Sequence, residues 1–93
     1  MTAYAMVTIT VTDPDKLAAY REVAGPAMAK HGVSPLAVSG DAQVIEGNGA
    51  APNVTVILQF ENREAALGWI NDPEIAEVHK MRQAAGDSRI VLM

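Results

Sequence analysis

N-V-T-V-I-L-Q-F at 53–60, E-N-R-E-A-A-L-G-W-I-N at 61–71 and D-P-E-I-A-E-V-H-K-M-R at 72–82 decide the fold. The first piece carries no charge and alternates. Val54, Val56, Leu58 and Phe60 form one face, and Asn53, Thr55, Ile57 and Gln59 the other, which is the period of a strand. Asn62 can cap a helix by accepting an orphan backbone N–H. Ala66, Trp69 and Ile70 then make a short apolar stripe around the single Trp. Asp72-Pro73 restarts the helix, since Asp accepts amide N–H groups and Pro at the first helical position loses nothing. Ile75, Val78, His79 and Arg82 share one face of the helix that follows.

Outward from this stretch, Ala3 to Thr12 is a second uncharged, alternating strand. Ala5, Val7, Ile9 and Val11 point one way, and Met6, Thr8, Thr10 and Thr12 the other. Asp13-Pro14 opens a helix predicted to run to about Lys30. Leu17, Tyr20, Ala24, Ala27, Met28 and His31 form its inner face, Gly25-Pro26 bend it, and Gly32 stops it. Pro35 to Glu46 reads as a long strand interrupted by a bulge or tight turn at Gly40. The glycine-rich segment 47–52 is a loop. Gly86-Asp87 closes the last helix, and Arg89 to Met93 is a short final strand. The order is strand, helix, strand, strand, split helix, strand. One four-stranded antiparallel sheet with its helices on one face satisfies it: an α+β, ferredoxin-like layer forming a single domain over residues 1–93.

Composition narrows the function classes. The 93 residues carry 7 Lys and Arg against 11 Asp and Glu, for a net charge of −4, and the basic residues are scattered. A nucleic-acid surface would need a basic stripe with aromatic platforms, so no nucleic-acid partner is expected. No apolar run approaches the ~18–20 residues of a membrane span, and Met1-Thr2-Ala3-Tyr4 lacks the basic start of a signal peptide. The absence of Cys fits a reducing, cytoplasmic setting. A chain this short buries only roughly 60–65% of its unfolded surface, and association is a common way to bury more. The uncharged strands point the same way. Met6, Thr8, Thr10, Thr55, Ile57 and Gln59 would occupy the sheet face away from the helices, where an antiparallel sheet facing water usually shows polar and charged residues. A second copy covering that face is expected, giving a homodimer with a half-polar interior that can hold a small molecule.

Several motifs carry a family resemblance. V-T-D-P at 11–14, Tyr20, Pro26, H-G at 31–32, E-G at 46–47, F-E-N-R-E-A-A at 60–66, W-I-N-D-P-E at 69–74 and Arg82 together resemble the domain-of-unknown-function family DUF1330 over nearly the whole chain. The resemblance implies a dimeric α+β barrel subunit and brings no established activity. Val33 and Ser34 stand where the family typically has Gly and Arg, Val38 replaces an Arg, and Ile75 a Tyr. Two cations are thereby lost, which weighs against an anionic ligand of the family's kind. Trp69 and His79 also look like the Trp and proximal His of haem-degrading monooxygenases of the same barrel superfamily, but the first-strand Asn of those enzymes falls at about Val7.

The ligand-pocket candidates are Thr8, Thr10, Tyr20, His31, Gln59, Trp69, His79 and Arg82, each with a plainer reading beside the functional one. His31 is a helix-end cap or a base. His79 is a core-edge histidine with one hydrogen bond, or a ligand or proton shuttle. Arg82 forms a salt bridge to Glu46, Asp13 or another subunit, or binds a carboxylate. Trp69 anchors its helix to the sheet or lines a pocket, and the hydroxyl of Tyr20 can reach a cavity. Thr8, Thr10, Thr55 and Gln59 orient a small polar ligand or bond one another across a dry interface. No nucleophile triad, phosphate loop or metal-ligand spacing occurs, so no metal and no cofactor is assigned. The first function reading is a dimeric small-molecule-binding protein. The second is a cofactor-free isomerase, lyase or monooxygenase acting on a small aromatic or hydrophobic compound, with His31, His79, Arg82 and Trp69 converging at one mouth of the barrel.

Overall fold

The computed structural model describes residues 1–93. Strand β1 spans Ala3–Val11, helix α1 Pro14–Lys30, β2 Ser34–Ser39, β3 Val54–Phe60, α2 Arg63–Asn71, α3 Ala76–Ala84 and β4 Gly86–Leu92, with a single 3-10 turn at Pro73–Ile75 between α2 and α3. The strands form one antiparallel sheet in the order β2-β3-β1-β4, which is the expected ferredoxin-like layer. No helix is long and apolar enough to cross a membrane.

The caps do what their residue types allow. Asp13 accepts from Lys16 N at 3.1 Å, Asn62 from Ala65 N at 2.8 Å, and Asp72 from Glu74 N at 2.9 Å. At the far end of α1, Gly32 adopts φ +63, and the amides of Gly32 and Val33 return to the carbonyls of Ala29 and Met28. That paired closure needs a left-handed residue, which glycine supplies without steric cost. Pro26 lies inside α1 without ending it. Both Pro26 and Glu22, whose carbonyl loses its amide donor there, are exposed, so water can take the donor's place.

Register places Ala3, Ala5, Val7 and Ile9 opposite Phe60, Leu58, Val56 and Val54. Nearly all of these are buried, and with Leu17, Ala27, Ala66, Trp69 and Ile75 they form one core on the helix side of the sheet. The opposite face carries Tyr4, Met6, Thr8 and Thr10 beside Gln59, Ile57 and Thr55. In the single chain this face is open, and Tyr4, Met6 and Val91 are among its exposed side chains.

Two boundaries depart from the sequence expectation. The long second strand stops at Ser39. Its irregularity lies between Pro35 and Ala37, not at Gly40. Ser39 Oγ and Asp41 close a tight local turn through hydrogen bonds of 3.1 and 3.3 Å. By then β2 has paired with β3 from Gln59 to Thr55, and only Val54 of that strand is left. Val44 and Ile45 therefore have no ladder to join and stand exposed. The last strand begins three residues earlier than expected, at Gly86, which pairs with Val11. This adds Asp87 to the outer face beside Thr10, and with Arg89 beside Thr8 that face has a charged border along β4.

Candidate functional site

The helix side of the sheet is not completely filled. A cavity of about 290 Å³ lies between α1 and the sheet. Val7, Ile9, Val54, Val56 and Leu58 form its sheet wall, Leu17, Tyr20, Arg21, Ala24 and Met28 its helix wall, and Trp69 closes one end. The exposed lining residues Arg21, Gly25, Pro35 and Val38 mark a mouth between α1 and the edge strand β2. A second cavity of about 180 Å³, entirely apolar in lining, also has Trp69 in its wall, together with Phe60, Ala66 and Ile90. The larger volume is at the lower end of what small-molecule sites use.

Behind the aromatic end of the larger cavity lies a stacked polar group. Trp69 is tilted against Phe60 at 5.7 Å and meets the ring of His79 edge-on at 4.8 Å. The guanidinium of Arg82 lies 5.8 Å from the Tyr20 ring and 5.7 Å from the Trp69 ring. His79 donates from Nε2 to the Trp69 carbonyl at 2.9 Å, and its Nδ1 accepts from Arg82 Nη1 at 2.9 Å. A carbonyl only accepts and a guanidinium only donates, so these two bonds fix one neutral tautomer. Burial pushes the His79 pKa down; the Trp69 carbonyl opposes that shift and the charge on Arg82 adds to it. Arg82 Nε donates to Ser88 Oγ at 3.1 Å.

Within the chain, Arg82 forms no salt bridge to Glu46 or Asp13. No Asp or Glu lies within ion-pair distance of its guanidinium, and Glu46, one proposed partner, is an exposed residue of the loop after β2. Arg82 is only 2% exposed and bonds only to neutral groups. A buried cation is ordinarily paired, which makes this the least conventional group in the molecule.

His31 sits elsewhere. It caps α1 and donates from Nε2 to Asp72 Oδ2 at 2.8 Å, while Lys30 Nζ reaches Asp72 at 2.6 Å and Glu74 at 2.5 Å. This cluster ties the end of α1 to the α2–α3 turn. Lys30, followed by His31 and the Glu74 amide, holds the Asp72 carboxyl well below the usual carboxylate range. Of the four groups expected at one mouth, His79, Arg82 and Trp69 meet, Tyr20 joins them, and His31 does not. Thr8, Thr10 and Gln59 lie on the outer face, through the sheet from the cavity. Neighbouring Thr55 hides its Oγ1 without a hydrogen-bond partner, and Trp69 Nε1 is likewise buried and unpaired. The haem comparison loses its central element, because neither nitrogen of His79 is free to ligate. No group of three or more His, Asp or Glu side chains is placed to hold a metal ion.

Sequence reasoning missed Arg21. The signal was present: Leu17, Arg21, Ala24 and Met28 recur at helical spacing on the stripe that faces the sheet.

A family model described as "Domain of unknown function (DUF1330)" matches residues 2–93. The chain belongs to that family. No curated protein matches it in sequence. Among solved structures, it is similar to a protein of unknown function from Rhodopseudomonas palustris, at 22% identity over 99% of this chain and 80% of that one, with a TM-score of 0.78. A dimeric ferredoxin-like protein of unknown function from Jannaschia sp. CCS1 is similar at 12% identity over 100% and 98% of the two chains, with a TM-score of 0.76. SnoaB, a cofactor-independent oxygenase from Streptomyces nogalater, is similar at 11% identity over 99% and 88%, with a TM-score of 0.63. At these identities the likeness is one of fold. It bears out the ferredoxin-like layer of this DUF1330 chain, while the site has to be argued from the chain's own residues.

Proposed function

We propose that the chain works as a homodimer, outer sheet face against outer sheet face, and that each subunit binds a small, mostly apolar molecule in the cavity under α1. The observation that carries the binding reading is the cavity itself, about 290 Å³ with apolar walls and an aromatic end at Tyr20 and Trp69. The dimer reading is supported by the open face bearing Tyr4, Met6, Ile57 and Val91, by the buried, unpaired hydroxyl of Thr55 within it, and by the dimeric state of the Jannaschia relative.

Binding is preferred to turnover because the second reading needs a base that reaches the cavity. His79 has both nitrogens engaged, and His31 is held by Asp72 and is not among the residues lining the cavity. The likeness to the oxygenase SnoaB is compatible with an enzyme and does not supply that base.

Two measurements test the proposal. Sedimentation equilibrium at micromolar concentration is expected to give twice the chain mass for the wild type and the single-chain mass for Ile57→Asp; a monomeric wild type ends the dimer reading. For the cavity, the only Trp supplies a single indole N–H resonance. Titration with 4-phenylbutanamide and 4-phenylbutanoate is expected to shift that resonance saturably with at least one probe, and Val38→Phe at the mouth to weaken the effect. No shift with either probe up to millimolar concentration ends the binding reading.

A further inference from the structure

We infer that the occupant of the cavity carries an anion: a small apolar molecule with one carboxylate. This deepens the binding reading above and rests on it. No Asp or Glu lines the cavity, and its one charged lining residue is Arg21. Arg21 forms no ion pair. Arg82 stands behind the Tyr20 and Trp69 rings that wall the same space, also without a carboxylate. Arg82 uses Nη1 and Nε on His79 and Ser88, and Nη2 donates to no group of the chain. Trp69 adds an indole N–H, buried and unpaired. An otherwise apolar cavity thus has an unpaired arginine at its mouth and, behind its aromatic end, a second arginine without a carboxylate and an indole N–H without an acceptor.

The pattern is selective. The chain as a whole is acidic, with 11 carboxylates to 7 basic residues. All three lysines, Lys16, Lys30 and Lys80, pair with Asp or Glu side chains, and none of the arginines does; Arg63 donates instead to the Met93 main-chain oxygen at 2.6 Å. A second subunit on the outer face cannot neutralise Arg82. Ser88, its partner, pairs with buried Ile9 and so lies on the helix side of the sheet. A ligand entering beside Arg21 can carry the missing charge. Charge in a low-dielectric enclosure acts over longer distances than in water, so Arg82 contributes from behind the rings without touching the ligand. The cations absent at Ser34 and Val38 do not count against this, because the charges here come from Arg21 and Arg82.

The two probes named above share a skeleton and differ in charge at pH 7. 4-Phenylbutanoate is expected to bind at least tenfold more tightly than 4-phenylbutanamide in low salt. Arg21→Gln, an exposed change on α1 that leaves the core intact, is expected to cut that preference at least threefold. Arg82→Gln is expected to cut it further, and its folding is checked by the dispersion of its amide resonances. Equal binding of the two probes overturns the inference and leaves the binding reading standing. A preference for the acid that survives Arg21→Gln overturns it as well, while no binding of either probe removes both.

Discussion

Gly86→Ala tests whether the junction between α3 and β4 is as tight as the structure requires. Gly86 pairs with Val11 at the start of β4. Its backbone conformation is one that other residues also adopt, so the need for glycine is one of space. A Cβ here would fall on the carbonyl oxygen of Thr10 and lie 2.9 Å from the Thr10 carbonyl carbon and from Val11 Cα. Ordinary contacts between carbon atoms are about 3.5–4.0 Å. All three atoms are backbone, so no rotamer change relieves the clash and the two strands must separate. That separation strains the amides of Thr12 and Asp13, which both donate to the Ala85 carbonyl, at 2.9 and 3.0 Å.

Overpacking costs about 1–3 kcal/mol, and two weakened hydrogen bonds add about 1 kcal/mol each. The sum is about 3–5 kcal/mol, a large share of the roughly 5–14 kcal/mol expected for a chain of this size. At about 4–8 °C per kcal/mol, Tm should fall by at least about 12 °C. Thermal unfolding followed by circular dichroism at fixed protein concentration reads the change, since dissociation would make Tm concentration-dependent. Ser88 lies two residues on, so the variant should also loosen Arg82 and broaden the indole N–H resonance of Trp69. A Tm within about 3 °C of wild type would refute the tight-junction reasoning.

Other outcomes follow from the same geometry. His79 is buried neutral with its pKa pushed below the ordinary value near 6.5, so its contribution is full above that value. Stability should fall as the pH drops below about 6.5, where the unfolded chain binds the proton more readily; urea titrations at pH 7.5 and 5.5 check this, and His79→Gln should flatten the slope. Asp72 is held ionised by Lys30 and His31, so its contribution is present above the ordinary carboxylate range and lost as the pH falls below about 4. Asp72→Asn should lower the wild-type Tm at pH 7 and reduce the loss between pH 4 and 2. Phe60 is 1% exposed and packs on Trp69, so Phe60→Ala should cost about 3–5 kcal/mol in denaturant titration.

The legible parts of the chain are those where local chemistry decides. β1 and β3 follow from alternation, and the starts of α1, α2 and the 3-10 turn follow from Asp13, Asn62 and Asp72, whose side chains reach amides two or three residues ahead, while α3 itself begins at Ala76 without a side-chain cap. The errors lie where a distant partner decides. Gly86 looks like a turn residue, and only its pairing with Val11, 75 residues away, makes it a strand residue. Val44-Ile45 looks like a strand and lacks one only because β3 is too short to receive it. At the site, Arg82 was legible as an inward residue on the His79 stripe. Its lack of a carboxylate was not, because no spacing rule links it to Glu46 or Asp13. His31 and Asp72 are 41 residues apart, and the bond that withdraws His31 from the cavity exists only in three dimensions.

The two faces of the sheet therefore raise different problems with different remedies. The outer face holds Met6, Ile57 and a hydroxyl without a partner, and a second copy of the same surface can cover it because what is missing is mainly apolar contact. The inner face already has its helices and still leaves Arg82 uncompensated at 2% exposure. Replacing a buried ion pair by apolar groups is often harmless, whereas leaving one charge of a pair alone is costly. The chain keeps that charge, separates its eleven carboxylates from it, and leaves a cavity with an arginine at its mouth in front of it. An arginine kept only for packing could as well be a methionine. Arg82→Met should therefore be the informative variant: if it raises Tm while abolishing the preference for the carboxylate probe, the residue is retained at the expense of stability, and what it serves is the occupant of the cavity.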